Sequence, residues 1–267
     1  MLENSLTLDA KSIHKLSTNG LAREHLVRQL GDDFSQQLEI WRAQGLSIIK
    51  EFGHYYFESK YTKLKDATFC IVDIETNGSK VDKHQIIEIA AIKVKNAEII
   101  DSFESLVFTK DINLHIQEIT GISVEDTKDA PSLKEVLHKF KEFLKDDIFV
   151  AHDVKFDYKF ISASLEQIGL ERLLNRPLCS LDLAQRTIVS YRYALSYLND
   201  TFHFNKEATH HRAMSDVMTT FGLFKMSMAK LDEDIIFVED LIEFSKHAPR
   251  LKRPKFDPLL AKSTHTC

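Results

Sequence analysis

The stretch Ala67-Thr-Phe-Cys-Ile-Val-Asp-Ile-Glu-Thr-Asn-Gly78 constrains this chain more tightly than any other. Phe69 to Val72 are apolar and partly β-branched, which reads as a buried strand over 69–74. Side chains two apart on a strand point the same way, so Asp73 and Glu75 project together from its end. Two carboxylates beside an apolar core are costly unless something positive lies between them. A divalent cation with oxygen ligands, Mg²⁺ or Mn²⁺, answers that need. Taken alone, the stretch is equally compatible with an ordinary strand end whose acids face water.

The rest of the composition admits an enzyme without announcing one. At 267 residues the chain can bury a sizeable core in one or two domains. A net charge of −5 gives no global basic field, although metal-binding acids would lower the balance of a nucleic-acid enzyme. Cys70, Cys179 and Cys267 are far apart and lack metal-ligand spacing, as expected of reduced thiols in a cytoplasmic protein. No signal peptide or transmembrane run is expected.

Residues 1–60 read as a small domain of their own. Helices are expected over 8–16, with Thr7 as a candidate N-cap, then over 21–30 and 33–43. Two strands, 46–50 and 54–58, flank a tight Gly53-containing turn. Three short helices and a hairpin resemble a winged-helix module. Such modules often bind DNA, but residues 1–65 hold nine Lys/Arg against eight Asp/Glu, which favours protein docking or a structural role. The polar segment 59–66 reads as a linker.

A second domain, 67–230, follows. Strands at 69–74, 86–94 and 98–108 suggest an antiparallel meander. Pro131 opens a helix with Leu133, Val136, Leu137, Phe140, Phe143 and Leu144 on one face. Ile148–Ala151 is a further apolar strand, and helices are expected at 155–168, 180–190 and 209–230. The resulting class is α/β, a mixed sheet flanked by helices. Within it, Asp157 opens a helix, where a carboxylate faces the positive helix end. Thr209-His-His-Arg-Ala-Met-Ser-Asp216 places His211 five positions before Asp216. Singly, Asp157 reads as a helix-terminal acid, and His211, like its neighbour His210, as a surface residue.

Together, these residues resemble the DEDDh family of 3′→5′ exonucleases, which have a ribonuclease H-like fold. Asp73-Ile-Glu75-Thr76 matches the family's D-x-E-T, Phe156-Asp157 its second motif, and His211-Arg-Ala-Met-Ser-Asp216 its H-x-A-x-x-D. Ile119-Thr-Gly-Ile122 looks like the family's loop near the substrate. Within the family the chain looks most like the proofreading (epsilon) subunits of bacterial DNA polymerase III. The resemblance implies that Asp73, Glu75, Asp157 and Asp216 hold two metal ions, Mg²⁺ or Mn²⁺, about 4 Å apart. It makes His211 the base that takes a proton from the attacking water, and sets Thr76, Phe156 and Ile122 beside the substrate. The expected partners are a single-stranded 3′ end of DNA, with RNA possible, and a polymerase subunit. Two positions depart from the pattern: Asp153 where Asn is usual, and Asn77 where a second Thr is common. They bear on nucleotide preference more than on activity.

Beyond the nuclease, an amphipathic helix is expected over 233–245. A proline-broken tail, 246–267, follows with six Lys/Arg and one Asp. It reads as a solvated terminus, a docking peptide or a stripe that tracks nucleic acid. Three functions stay open at this level: a DNA exonuclease of proofreading or repair, an exoribonuclease of the same fold, and a winged-helix scaffold with an inactive nuclease. The filled motif positions argue against the last.

Overall fold

The structure, a computed structural model, describes residues 8–209, 211–257 and 259. Thr7, His210, Pro258, Cys267 and the last stretch of the basic tail therefore lie outside the described residues.

The amino-terminal region runs α1 (Ala10–Ser17), β1 (Leu21–Ala22), α2 (Arg23–Leu30), α3 (Phe34–Ala43), β2 (Ile48–Glu51) and β3 (His54–Phe57). The expected helix over 21–30 is shorter by two residues. Leu21 and Ala22 instead pair antiparallel with Tyr55 and His54, giving a three-stranded sheet of order β1-β3-β2. Helix, strand, two helices and hairpin is the order of a winged helix. Its core gathers Leu16, Leu21, Leu26, Trp41, Leu46 and Phe57, together with Leu174 from much later in the chain. Asp9 caps α1 by accepting a hydrogen bond from the Ser12 N–H.

The second sheet has five strands in the order β6-β5-β4-β7-β8, built from β4 (Phe69–Thr76), β5 (Ile86–Lys95), β6 (Glu98–Leu106), β7 (Ile148–Ala151) and β8 (Pro177–Cys179). The antiparallel meander β4-β5-β6 is as expected, and β7 and β8 add to it in parallel. β8 escaped the sequence reading because it has only three residues and begins with proline. The helices are α4 (Leu114–Thr120), α5 (Val124–Thr127), α6 (Leu133–Leu144), α7 (Val154–Gln167), α8 (Ser180–Thr187), α9 (Leu195–Phe202), α10 (Ala213–Met228) and α11 (Val238–His247).

Alternation along β4 sorts the core into two layers. Cys70, Val72 and Ile74 pack with Phe140 of α6 and Phe160 and Ile161 of α7. Phe69 and Ile71 pack with Val217 and Phe224 of α10 and with Leu241 and Ile242 of α11. Both faces of the sheet are thus covered, which is why β5 reads as an almost unbroken apolar run.

Three further expectations need correction. The helix expected over 233–245 begins only at Val238, because the Asp240 carboxylate accepts from the Phe237 N–H and stops the helix there. The helix expected over 209–230 starts at Ala213, leaving His211 in the preceding loop. Segment 59–66 is not a free linker: Leu64 N–H donates to Ile236 O, Val238 N–H donates to Thr62 O, and Ser59 is buried. The amino-terminal region is fastened where β4, β7 and β8 begin. There Ser47 reaches Asp146, Phe57 lies under the Arg176 guanidinium at 4.5 Å, and a Cβ on Gly45 would collide with Asn175. The acids of interest leave the opposite ends of these strands. No helix among the described residues is long and apolar enough to cross a membrane.

Candidate active site

Asp73 and Glu75 leave the end of the central strand on the face that looks toward α10, in step with Phe69 and Ile71. Immediately after Glu75 the pairing with β5 slips by one residue, and the chain turns away at Thr76. Asn77 holds that turn: its amide donates to Asp111 O, and its carbonyl accepts from the Gln85 N–H. The unusual Asn77 thus shapes the loop beside the acids.

Asp157 arrives from the neighbouring strand. β7 ends at Ala151, and the chain enters α7 through Asp153, which adopts the left-handed conformation (φ 62°, ψ 59°) as the N-cap. His152 pins this corner, with Nδ1 3.1 Å from Ser180 Oγ and Nε2 2.8 Å from Tyr193 O. Asp157 lies in the first turn of α7, buried at 5% exposure. Phe156 beside it stays 40% exposed.

Asp216 lies in the first turn of α10. The preceding loop folds over it, and the His211 N–H donates to Asp216 Oδ2 at 3.2 Å, with His211 at φ 61°. One ligand atom from each of Glu75, His211 and Asp216 lies within 4.8 Å of the others. His211 is exposed, so its imidazole borders solvent on one side and carboxylates on the other.

The electrostatics follow from this crowding. Burial, then the charges of Asp157, Asp216, Glu75 and Glu88, hold the Asp73 carboxyl well above the usual carboxylate range. Burial also pushes Glu75 up to about 8, aided by Asp216, Glu88 and Asp157 and opposed by Arg212. Asp157 is pushed up to about 7 by burial. Its own and Ile74's backbone N–H groups restrain that rise, and the Asp153 charge adds to it. Such a set, rich in oxygen and short of positive charge, fits divalent cations, which displace the protons that the acids otherwise retain.

Two residues at this site were missed from sequence. Glu88 faces Glu75 directly across the β4–β5 ladder and is only 1% exposed. Its carboxylate receives the Arg212 guanidinium at 2.8 Å (Nη2) and 3.2 Å (Nε), and also accepts from the Ala213 N–H at 2.8 Å. Glu88 therefore caps the start of α10 and fixes Arg212, the residue between His211 and that helix. A lone acid inside the apolar run Ile86-Ile-Glu-Ile-Ala90 was the signal available. Of the remaining candidates, Thr76 is half-buried at the strand end, whereas Ile122 is buried at 2% exposure against Ile87 and Ile112. The structure thus withdraws the Ile122 side chain from the surface. In its segment Ile119 is the exposed apolar side chain, at 39%.

Comparison with known proteins sets this arrangement in context. The family pattern described as an exonuclease matches residues 70–224. The PolC-type DNA polymerase III of Caldanaerobacter subterraneus is 38% identical over 219 residues, covering 79% of this chain and 15% of that protein. Its counterpart from Listeria welshimeri is 34% identical over 203 residues, covering 74% and 14%. The chain thus spans about one seventh of the length of these relatives. Among solved structures, Exonuclease X in complex with 5′ overhanging duplex DNA superposes with a TM-score of 0.52 at 23% identity, covering 66% of this chain and 99% of that one. E. coli Exonuclease I in complex with a dT13 oligonucleotide gives 0.56 at 16% identity, covering 61% and 41%. At these identities the likeness is one of fold. The family pattern runs from the strand that carries Asp73 and Glu75 to the helix that carries Asp216, across more than half of the sequence, and on that ground the chain belongs to the exonuclease family.

Proposed function

We propose that this exonuclease works from 3′ ends of DNA, releasing nucleoside 5′-monophosphates. Two divalent ions would be held by Asp73, Glu75, Asp157 and Asp216. The observation that carries this reading is the excess of negative charge: Asp73, Glu75 and Asp157 all have proton affinity raised by burial, and Asp73 and Glu75 also by the neighbouring charges of Asp157, Asp216 and Glu88. The cation that acts on Glu75, Arg212, has its guanidinium committed to Glu88. When bound, the ions would lower the pKa of the attacking water and offset charge that develops on the phosphate and on the leaving 3′ oxygen.

The chain's own groups do the rest. His211, exposed and tied through its backbone to Asp216, accepts the proton of the attacking water at its imidazole. Glu88 and Arg212 hold that histidine's loop to the strand. Phe156 offers an exposed ring beside Asp157 on which the terminal base can stack, and Thr76 lies at the end of the strand that presents the acids.

DNA is favoured over RNA because the relatives are DNA polymerases. The same likeness supports action beside a polymerase, in proofreading or repair. We further read residues 1–60 as a separate winged-helix-like domain with a docking or structural role, since the exposed face of α3 carries Glu39 and Ile40 beside Arg42 rather than a basic stripe.

Digestion of 3′-labelled and 5′-labelled single-stranded DNA and RNA with Mg²⁺, Mn²⁺ or chelator tests the reading. Metal-dependent shortening from the 3′ end, reduced about a thousandfold or more in Asp73→Asn, is expected. Shortening from the 5′ end, or undiminished turnover in that variant, would overturn it. The ratio of DNA to RNA rates decides the substrate.

A further inference from the structure

The basic segment after α11 does not trail away from the nuclease. Arg186 of α8 donates from Nε to Ala248 O and from Nη2 to Lys246 O. The Leu251 N–H donates to Gln185 O, and Arg250 reaches Asp182 at 3.3 Å. Further on, the Arg253 guanidinium lies 5.2 Å from the centre of the Tyr193 ring, and the Tyr197 hydroxyl donates to Asp257 at 2.6 Å. The segment is therefore laid across α8 and the loop that leads into α9.

That loop also touches the corner that delivers Asp157. Tyr193 O is the partner of His152 Nε2, and His152 directly follows β7. Arg192, next to Tyr193, is exposed and lies 5.7 Å and 5.9 Å from the ring centres of Tyr191 and Tyr197. A chain of contacts thus runs from the α7 corner through the Tyr191–Tyr193 loop to residues 250–256. Along its last part Lys252, Arg253 and Lys255 are exposed, and Phe256 stands 83% exposed among them. Along that last part the acids are engaged, Asp182 by Arg250 and Arg186 and Asp257 by Tyr197, whereas Asp153 at the α7 corner is exposed.

Exposed cations with interleaved aromatic rings, on a chain of net charge −5, are the composition of a single-strand path. Cations meet successive phosphates, and a ring such as Phe256 offers a stacking face to any base. We infer that residues 250–256, with the Tyr191–Tyr193 loop beneath them, bind the phosphate backbone of a single-stranded nucleic acid on the 5′ side of the end held at the acid site. This rests on the exonuclease reading for the placement of the 3′ end.

The test uses the full chain in chelator, so that binding is read without hydrolysis. The probe is a 5′-fluorescein oligothymidylate of about 20 nucleotides, followed by anisotropy across a salt series. The triple variant Lys252→Ala/Lys255→Ala/Phe256→Ala is expected to bind about tenfold more weakly, with the slope of log K against log salt reduced by about 1.4. Lys252→Arg/Lys255→Arg is expected to retain the wild-type slope. With Mg²⁺, the advantage in kcat/KM of the long strand over a dinucleotide is expected to shrink about tenfold in the triple variant.

Wild-type affinity and slope in the triple variant would overturn the stripe, as would equal losses on long and short substrates. A wild-type chain that binds the long strand through these residues yet never shortens it would overturn the exonuclease reading and leave the stripe standing. A chain that shortens DNA while its binding ignores the substitutions would do the reverse.

Discussion

At opposite ends of the five-stranded sheet, charge is buried in opposite ways. At the seam between the amino-terminal region and the sheet, Arg176 donates from Nε and Nη2 to the two carboxylate oxygens of Glu239, at 2.7 Å and 2.6 Å. Ser59 donates to the same carboxylate. Burial would raise Glu239, but the Arg176 charge and these hydrogen bonds outweigh it and hold the carboxyl below its ordinary range. At the other end of the sheet, Asp73, Glu75 and Asp157 are raised instead. Burial alone therefore marks neither site as functional. Where the chain supplies the counter-charge, the buried pair joins segments together; where it withholds it, the acids are left ready for something from solution. Glu88 stands between the two cases: it faces the acids on β4 yet carries its own arginine.

The largest effect should come from breaking the compensated pair. Arg176→Leu leaves Glu239 buried without its cation and should cost about 3–5 kcal/mol in chemical denaturation. A loss under about 1 kcal/mol would show that the seam is held by packing alone. Next comes the intermediate case. Glu88→Gln keeps the shape but weakens the hold on Arg212 and on the start of α10, and should lower kcat about 10- to 100-fold with KM little changed. A pure KM effect would assign Glu88 to substrate binding instead.

The uncompensated acids should behave in reverse. In chelator, Asp73→Asn removes repulsion and should raise stability by about 1 kcal/mol while activity is lost. Destabilisation would contradict the charge assignment. The same charges also act through pH. Glu75 at about 8 and Asp157 at about 7 lie above their unfolded values near 4, so between those limits the folded chain holds more protons than the unfolded one. The metal-free protein should then lose stability as pH rises from about 5 to 8, seen as a falling Tm, and Mg²⁺ should flatten or reverse the trend. Glu239, with its lowered pKa, contributes in the opposite sense: its share is complete above the unfolded carboxylate value and is lost as pH falls through the folded one. A melting temperature that climbs with pH in chelator would mean that the acids are not crowded in solution.

How much of this was legible beforehand depended on range. The β4 strand and the shared face of Asp73 and Glu75 follow from alternation within a few residues. The apolar face that marks α6 after Pro131 is equally local. What escaped depends on partners distant in sequence. The role of Glu88 needs both the β4–β5 register and Arg212, and β1 exists only because β3 offers it an edge. The late start of α11 shows a pattern overruled: Ile235 and Ile236 extend the apolar spacing, but the chain there bridges to Lys63 in extended form. Segment 59–66 looked like a linker because polar composition carries no information about hydrogen bonds to residues far along the chain.

The parallel pairing of β4 with β7, Phe69 opposite Ile148, has a consequence in time. β4, β5 and β6 can close as hairpins while the chain is still emerging from a ribosome, but β7 must wait until α6 has been made, and α10 comes later still. The acids are dealt out across this sequence of events: Asp73 and Glu75 early, Asp157 after the crossover, Asp216 last. A nascent or half-folded chain therefore holds an incomplete set, and under the proposed assignment hydrolytic capacity would arrive only with the final packing of the sheet.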